Sequence, residues 1–195
     1  WHCRTQLPGY LDLIEQLQAQ VRQGSLDEPA LREHYEIAQK AIQTIALEIT
    51  PTTVQLLRDL DDRQVEELNE QFERDRQERE DKYLKPPLDQ QIGKRTDRMQ
   101  ERVEQWLGNV TAAQRQRIHE WAEALNKQNQ LWLDNRAQWQ RSMVDAVRNR
   151  DQANFDERIA RLLQDREVYW TAPYRAAFPA VEQATIDLIV DLYDT

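Results

Sequence analysis

The chain reads as an all-α protein, a multi-helix bundle carrying one long antiparallel hairpin, and three observations predict it. Nonpolar residues recur at alternating steps of three and four, the signature of one face of a helix. Only 4 of the 195 residues are Gly, while Gln, Glu, Arg, Leu and Ala abound and β-branched runs are scarce. Cap residues and prolines fall where nonpolar runs begin and end. The length fits a single helical domain spanning 1–195 with room for a sizeable core.

Leu7, Leu11, Ile14, Leu17 and Val21 define a first helix, stopped by Gly24 in the position that favours a left-handed residue. Ser25 or Asp27 can cap the next, with Pro29 in its first turn. Leu31, Tyr35, Ala38, Ile42, Ile45 and Ile49 then form the clearest amphipathic stripe, predicted to face inward. Pro51 is expected to end this helix, with a short one over roughly 52–60 following.

A long helix is predicted from about Asp62 to Leu84. Its first half carries Val65, Leu68 and Phe72, whereas its second, Glu73 to Lys82, has no nonpolar residue and reads as a solvated, projecting segment. Asp75–Arg79 and Glu78–Lys82 are acid-before-base pairs four apart. Pro86 and Pro87 break the chain, and a second long helix runs to Leu107 with Ile92, Met99, Val103 and Trp106 on one face. Together 62–107 should form the hairpin. Residues 58–82 hold eleven acids against six bases, and Lys94, Arg95, Arg98 and Arg102 on the returning helix are expected to face them.

Gly108 ends that helix and Thr111 starts the next, which turns Ile118, Trp121, Ala122 and Leu125 inward. Another spans about Gln130 to Arg150 with Trp132, Trp139, Met143 and Val147. Asn154 or Asp151 caps a helix bearing Phe155, Ile159, Leu162 and Tyr169. Pro173 and Pro179 punctuate the start of the last, whose end, IDLIVDLY, should be well enclosed. The count is about eight helices.

One element repeats. LRDLDDRQVEEL at 57–68 and LGNVTAAQRQRI at 107–118 align with Asp61 on Thr111 and Gln64 on Gln114. Each is a capping box, in which the cap side chain takes the N–H three residues on and the Gln reaches back to the cap's own N–H. The nonpolar Leu60 and Val110 just before the caps can staple onto the first turn. The motif specifies helix starts rather than chemistry.

A net charge of −9 and a pI near 5.0 disfavour nucleic acid and anionic membrane surfaces as partners. The single cysteine, Cys3, allows no internal disulfide. The histidines His2, His34 and His119 have no ligand-type spacing; His119-Glu120 lacks the second His of a zinc-protease helix, position 123 being Glu123. Glu120 and Glu123 share a helix face, but nothing marks them as acid and base. Neither a nucleophile elbow nor a phosphate-binding loop is present. The chain therefore reads as non-enzymatic, without metal or cofactor. Trp106, Trp121, Trp132 and Trp139 read either as the aromatic core of a bundle or as the lining of a cleft for peptide or lipid.

The Asp61–Gln64 and Thr111–Gln114 elements resemble the LTxxQ motif of the periplasmic Spy/CpxP-like stress proteins, some of which are chaperones. LPGYLDLIEQL at 7–17, the DKYL-plus-Pro segment at 81–87 and RTDRMQERVEQWLGNVTAAQRQRIHEWAEAL at 95–125 are similar to a family of uncharacterised Gram-negative lipoproteins. That resemblance implies an all-helical periplasmic domain tethered to a membrane through a lipidated cysteine that precedes Trp1, Cys3 not being that cysteine. It brings no catalytic residues. A protein or peptide is the partner class this implies, with binding or scaffolding as the task; a Spy/CpxP-like chaperone and an enzyme whose site is assembled from distant residues are the alternatives.

Overall fold

In the computed structural model the described residues are 9, 11, 14–16, 18–20 and 27–194. Leu7, Leu17, Val21, Gly24 and Ser25 of the predicted first helix and loop, with His2 and Cys3, lie outside them. Leu11 and Ile14 are helical and exposed. From Glu28 on, the chain forms α1 (Glu28–Arg58), α2 (Asp62–Tyr83), α3 (Leu88–Leu107), α4 (Ala112–Ala124), α5 (Gln128–Arg148), α6 (Phe155–Gln164), a 3₁₀ turn (Arg166–Tyr169) and α7 (Ala172–Asp194). The fold is all-α, and no strand occurs among the described residues.

These elements fall into two compact units. One comprises Trp1–Ile42, Ile92–Asn126 and Ala180–Thr195; the other comprises Gln43–Gln91 and Lys127–Pro179. Each has its own core. In the first, Val110, Ile118, Trp121, Ala122, Leu188 and Leu192 are buried together. In the second, Val65, Met143, Val147, Phe155, Ile159 and Leu162 are, with Val54, Leu57, Leu68, Phe72 and Trp139 packed against them.

The start of α1 is set by Asp27, whose carboxylate accepts the Ala30 N–H at 3.0 Å. Its course departs from expectation twice. Pro51 does not end the helix but lies inside it. A proline removes one donor from the ladder, yet the flanking threonines put their hydroxyls on nearby carbonyls, Thr50 on Ala46 and Thr53 on Ile49. Val54 and Leu57 beyond the proline are held by the second core, so burial keeps the last turns helical. The stripe also faces differently. His34, Ala46 and Thr50 are the buried positions, while Tyr35, Ile42 and Ile49 are 40%, 61% and 44% exposed. Helical phase does not separate the two sets, since Tyr35, Ile42 and Ile49 fall between His34 and Thr50 around the helix; the division between the two units falls within α1 after Ile42, so no one core runs the length of its stripe.

The boundaries of α2 and α4 follow from their caps. Asp61 accepts from Gln64 N–H at 2.8 Å while Gln64 Oε1 accepts from Asp61 N–H at 2.9 Å. Thr111 and Gln114 make the same pair at 3.1 and 2.9 Å. Val110, one residue before the second cap, is 5% exposed in the first core. Gly108 after α3 takes φ +79°, a left-handed conformation that L side chains resist.

The polar half of α2 is no free spacer. Asp75, Arg76, Arg79 and Glu80 are half-buried, and α2 packs along α5 within the second unit. Asp75 is the centre of this seam: Arg136 donates to it at 3.0 Å, Gln140 at 3.2 Å and Arg79 at 2.8 Å. Three α2 acids pair with α5 and the turn after it, Asp75 with Arg136, Glu66 with Arg148 and Asp62 with Arg150, while Asp81 pairs with Lys85 just past the end of α2. Leu68 and Phe72, packed on the second core, draw α2 onto α5 and bring these charges together.

Burial pushes the Asp75 carboxyl up, but the hydrogen bonds and charges of Arg136 and Arg79 outweigh this and hold it below its usual value. A carboxylate with a lowered folded-state pKa adds stability that is fully present above its unfolded value and lost as pH falls through the folded one. Stability of the second unit should therefore decline below about pH 4, and Asp75→Asn should flatten that decline while costing about 1–2 kcal/mol at neutral pH in chemical denaturation. In the same assay Phe155→Ala, at a wholly buried position, should cost about 3–5 kcal/mol.

Candidate functional site

An open nonpolar recess in the first unit encloses about 350 Å³. That size falls in the lower part of the range of ligand pockets, roughly 300–1,000 Å³. Its two long walls follow one rule. Met99, Arg102, Val103, Trp106 and Leu107 come from α3, and Thr185, Ile189, Leu192 and Tyr193 from α7. Both sets step at three, four and seven, so each wall is a single helix face. Leu31 of α1 contributes at one end. The stripe from Met99 to Leu107 is about 12 Å long.

The walls are positioned by polar contacts made to α4. Arg95, one turn before Met99 on α3, is 5% exposed. Its guanidinium donates to the carbonyls of Ala122 and Asn126, the unsatisfied acceptors at the C-terminal end of α4. Burial pushes its pKa below the usual guanidinium value, and nearby Arg98 adds to the shift. On the other wall, Gln114 Nε2 donates to the Leu192 carbonyl at 2.8 Å, and Arg117 pairs with Asp191 at 2.7 Å. Both α3 and α7 are therefore referred to α4.

The recess has few polar groups to offer a ligand. Thr185 Oγ1 donates to the Val181 carbonyl at 2.9 Å and lies 3.4 Å from the donating Trp121 Nε1. Its hydroxyl is thus already engaged. Tyr193 also has a partner within the chain. Among the described lining residues Arg102 is the one that carries a charge; it is exposed and makes no hydrogen bond or ion pair with described residues.

The four tryptophans part company. Trp106 lines the recess and is 48% exposed. Trp121 is 8% exposed and lies behind the same recess in the first core, reaching Thr185. Trp132 and Trp139 belong to the second unit. Trp132 meets Tyr83 edge-on at 6.0 Å with Arg79 over its face at 5.6 Å, and Trp139 packs on Phe72 at 6.4 Å while donating to the Leu162 carbonyl at 2.8 Å. Trp106 and Trp121 thus belong to one unit, and Trp132 and Trp139 to the other. Leu31, Ile189, Leu192 and Tyr193 are recess residues absent from the sequence-based set. The 185, 189, 192, 193 spacing identifies an α7 face, but no local pattern says that it meets α3.

His119 is an ordinary helix-face residue, its Nδ1 3.3 Å from Thr96 Oγ1 and its Nε2 3.6 Å from Glu123. Glu120 is engaged by Gln116 at 3.1 Å. His34 is buried, with Nε2 2.7 Å from Gln20. Among the described residues no group of three His, Cys, Asp or Glu side chains could hold a metal ion, and no helix is long and apolar enough to cross a membrane.

Fold and recess together define an all-helical protein with a ligand-sized apolar site. Residues 1–175 match the model of a family of unknown function, DUF6279, and the chain belongs to that family. No curated protein and no solved structure matches it.

Replacing Arg95 with Met removes the donor to two helix-end carbonyls. The expected cost is about 1–3 kcal/mol in chemical denaturation, with Trp106 emission shifting as the α3 wall loosens. Unchanged stability would mean that the cap is not what holds α3 to α4.

Proposed function

We propose that this is a non-enzymatic binding protein of the bacterial envelope, tethered to a membrane by a lipid anchor outside these residues, and that it works by taking a nonpolar ligand into the recess between α3 and α7. The open nonpolar recess carries this reading. A recess of this size walled by exposed Trp106 and half-buried Met99, Val103 and Ile189 leaves unfavourable nonpolar area in water. Its polar lining, Arg102, Thr185 and Tyr193, contains no pair of titratable groups suited to acid–base work, which supports binding over catalysis. The envelope location rests on the resemblance of residues 7–17, 81–87 and 95–125 to lipoproteins.

A neutral dye, N-phenyl-1-naphthylamine, tests the site. Its emission should rise on mixing with the protein, and Trp106→Asp, which sets a carboxylate in the recess, should weaken binding by at least about tenfold. A dye signal identical in wild type and variant would remove the recess from consideration.

A chaperone role of the Spy/CpxP-like kind is favoured by a different observation. Leu47, Ile49 and Leu56 of α1 are 52%, 44% and 63% exposed, and between Gln43 and Leu57 only Glu48 is charged. Such a strip can receive nonpolar segments of an unfolded client. Suppression of client aggregation that Leu56→Asp abolishes and Trp106→Asp leaves intact would decide for this role.

A further inference from the structure

We propose that the ligand of the recess is an anionic amphiphile with one alkyl chain, its head group held by Arg102; this rests on the reading of the recess as a binding site. Three features of the first unit lead there.

The slot is small, about 350 Å³, and one-sided in chemistry. Two helix faces about 12 Å long wall it, and apart from Arg102 its described lining is nonpolar side chains with the Trp106 indole N–H, plus Thr185 and Tyr193, both already engaged within the chain. A multiply hydroxylated molecule would lose more hydrogen bonds to water than so few polar groups could return. An alkyl chain loses nothing by entering.

The charge is placed at the edge of the slot. Lys94, Arg98 and Arg102 stand four residues apart, which sets them in a row along α3 beside the Met99–Val103–Trp106 face. The acids nearest this row, Asp97, Glu101 and Glu104, fall at steps that carry them to its far side from the recess, and Asp89 lies more than three turns before Arg102. In a chain of net charge −9 the cationic residue in the lining therefore has no carboxylate competing for it among described contacts.

The cation also has donors that no described residue takes. An arginine fork presents donors suited to a carboxylate or phosphate. Arg98 already has a partner within the chain, whereas Arg102 makes none with described residues. A carboxylate or phosphate at the end of a chain lying along Met99, Val103 and Trp106 would meet it without any rearrangement of α3. A cationic amphiphile would meet repulsion there instead, and an uncharged one would leave Arg102 as it is.

Calorimetric titration of decanoate, decanol and decyltrimethylammonium into the full chain tests this, with Arg102→Gln as the variant. Arg102 is exposed and unpaired with described residues, so the variant should keep the wild-type circular dichroism and unfolding midpoint. Decanoate should bind wild type about tenfold more tightly than decanol, and Arg102→Gln should erase that margin without touching decanol. Decyltrimethylammonium should bind most weakly. Equal affinities for decanoate and decanol, unmoved by Arg102→Gln, would overturn the head-group assignment while leaving the recess a nonpolar site. Decanoate that fails to displace the naphthylamine dye, where a peptide of residues 7–21 succeeds, would overturn it in favour of a helical occupant. Binding of neither the dye nor any of the three amphiphiles would end both readings.

Discussion

The first unit depends on a buried cation that neutralises no anion. Arg95 spends its guanidinium on the two carbonyl groups left open where α4 ends. A buried charge is tolerable only when its donors are used, so the position of Arg95 and the end of α4 constrain each other. Asn126, at φ 33°, turns its carbonyl into this arrangement. Because Met99, Arg102, Val103, Trp106 and Leu107 follow Arg95 on one continuous helix, the recess wall inherits its placement from this single cap. The second unit solves the opposite problem with Asp75, a half-buried anion served by Arg136, Arg79 and Gln140.

What could be read along the chain is what local chemistry decides. The starts of α2 and α4 follow from Asp61 and Thr111, the break between α2 and α3 from Pro86 and Pro87, and the end of α3 from Gly108. The residues of α4 and α6 that turn inward are those the three-and-four rhythm selects: Ile118, Trp121 and Ala122, then Phe155, Ile159 and Leu162. Pro51 defeated the local rule because Val54 and Leu57 beyond it are claimed by a core whose other members lie far along the chain. The polar half of α2 failed for a related reason. Its partner Arg136 is 61 residues away, and a run of charges looks the same whether it meets water or a complementary helix.

The recess was legible in one wall only. Trp106 with Met99 and Val103 stands out as a face, but a nonpolar face is the same signal whether it is core or cleft. Nothing near Thr185, Ile189, Leu192 or Tyr193 distinguishes α7 as the opposite wall. Trp132 and Trp139 show the converse: two rings seven residues apart share a face of α5 and serve packing, one under Arg79 and the other against Phe72.

Gln114 and Gln64 occupy equivalent places in the repeated element, yet their side chains have different duties. Gln64 needs only its oxygen, to accept from Asp61. Gln114 uses its oxygen on Thr111 and its nitrogen on the carbonyl of Leu192, at the recess wall. A carboxylate at position 64 would still do the whole task, whereas at 114 it would aim one oxygen at another. The two copies of the same short motif thus differ in their tolerance of a single-atom exchange, oxygen for nitrogen, and only at 114 would that exchange be felt at the wall of the recess.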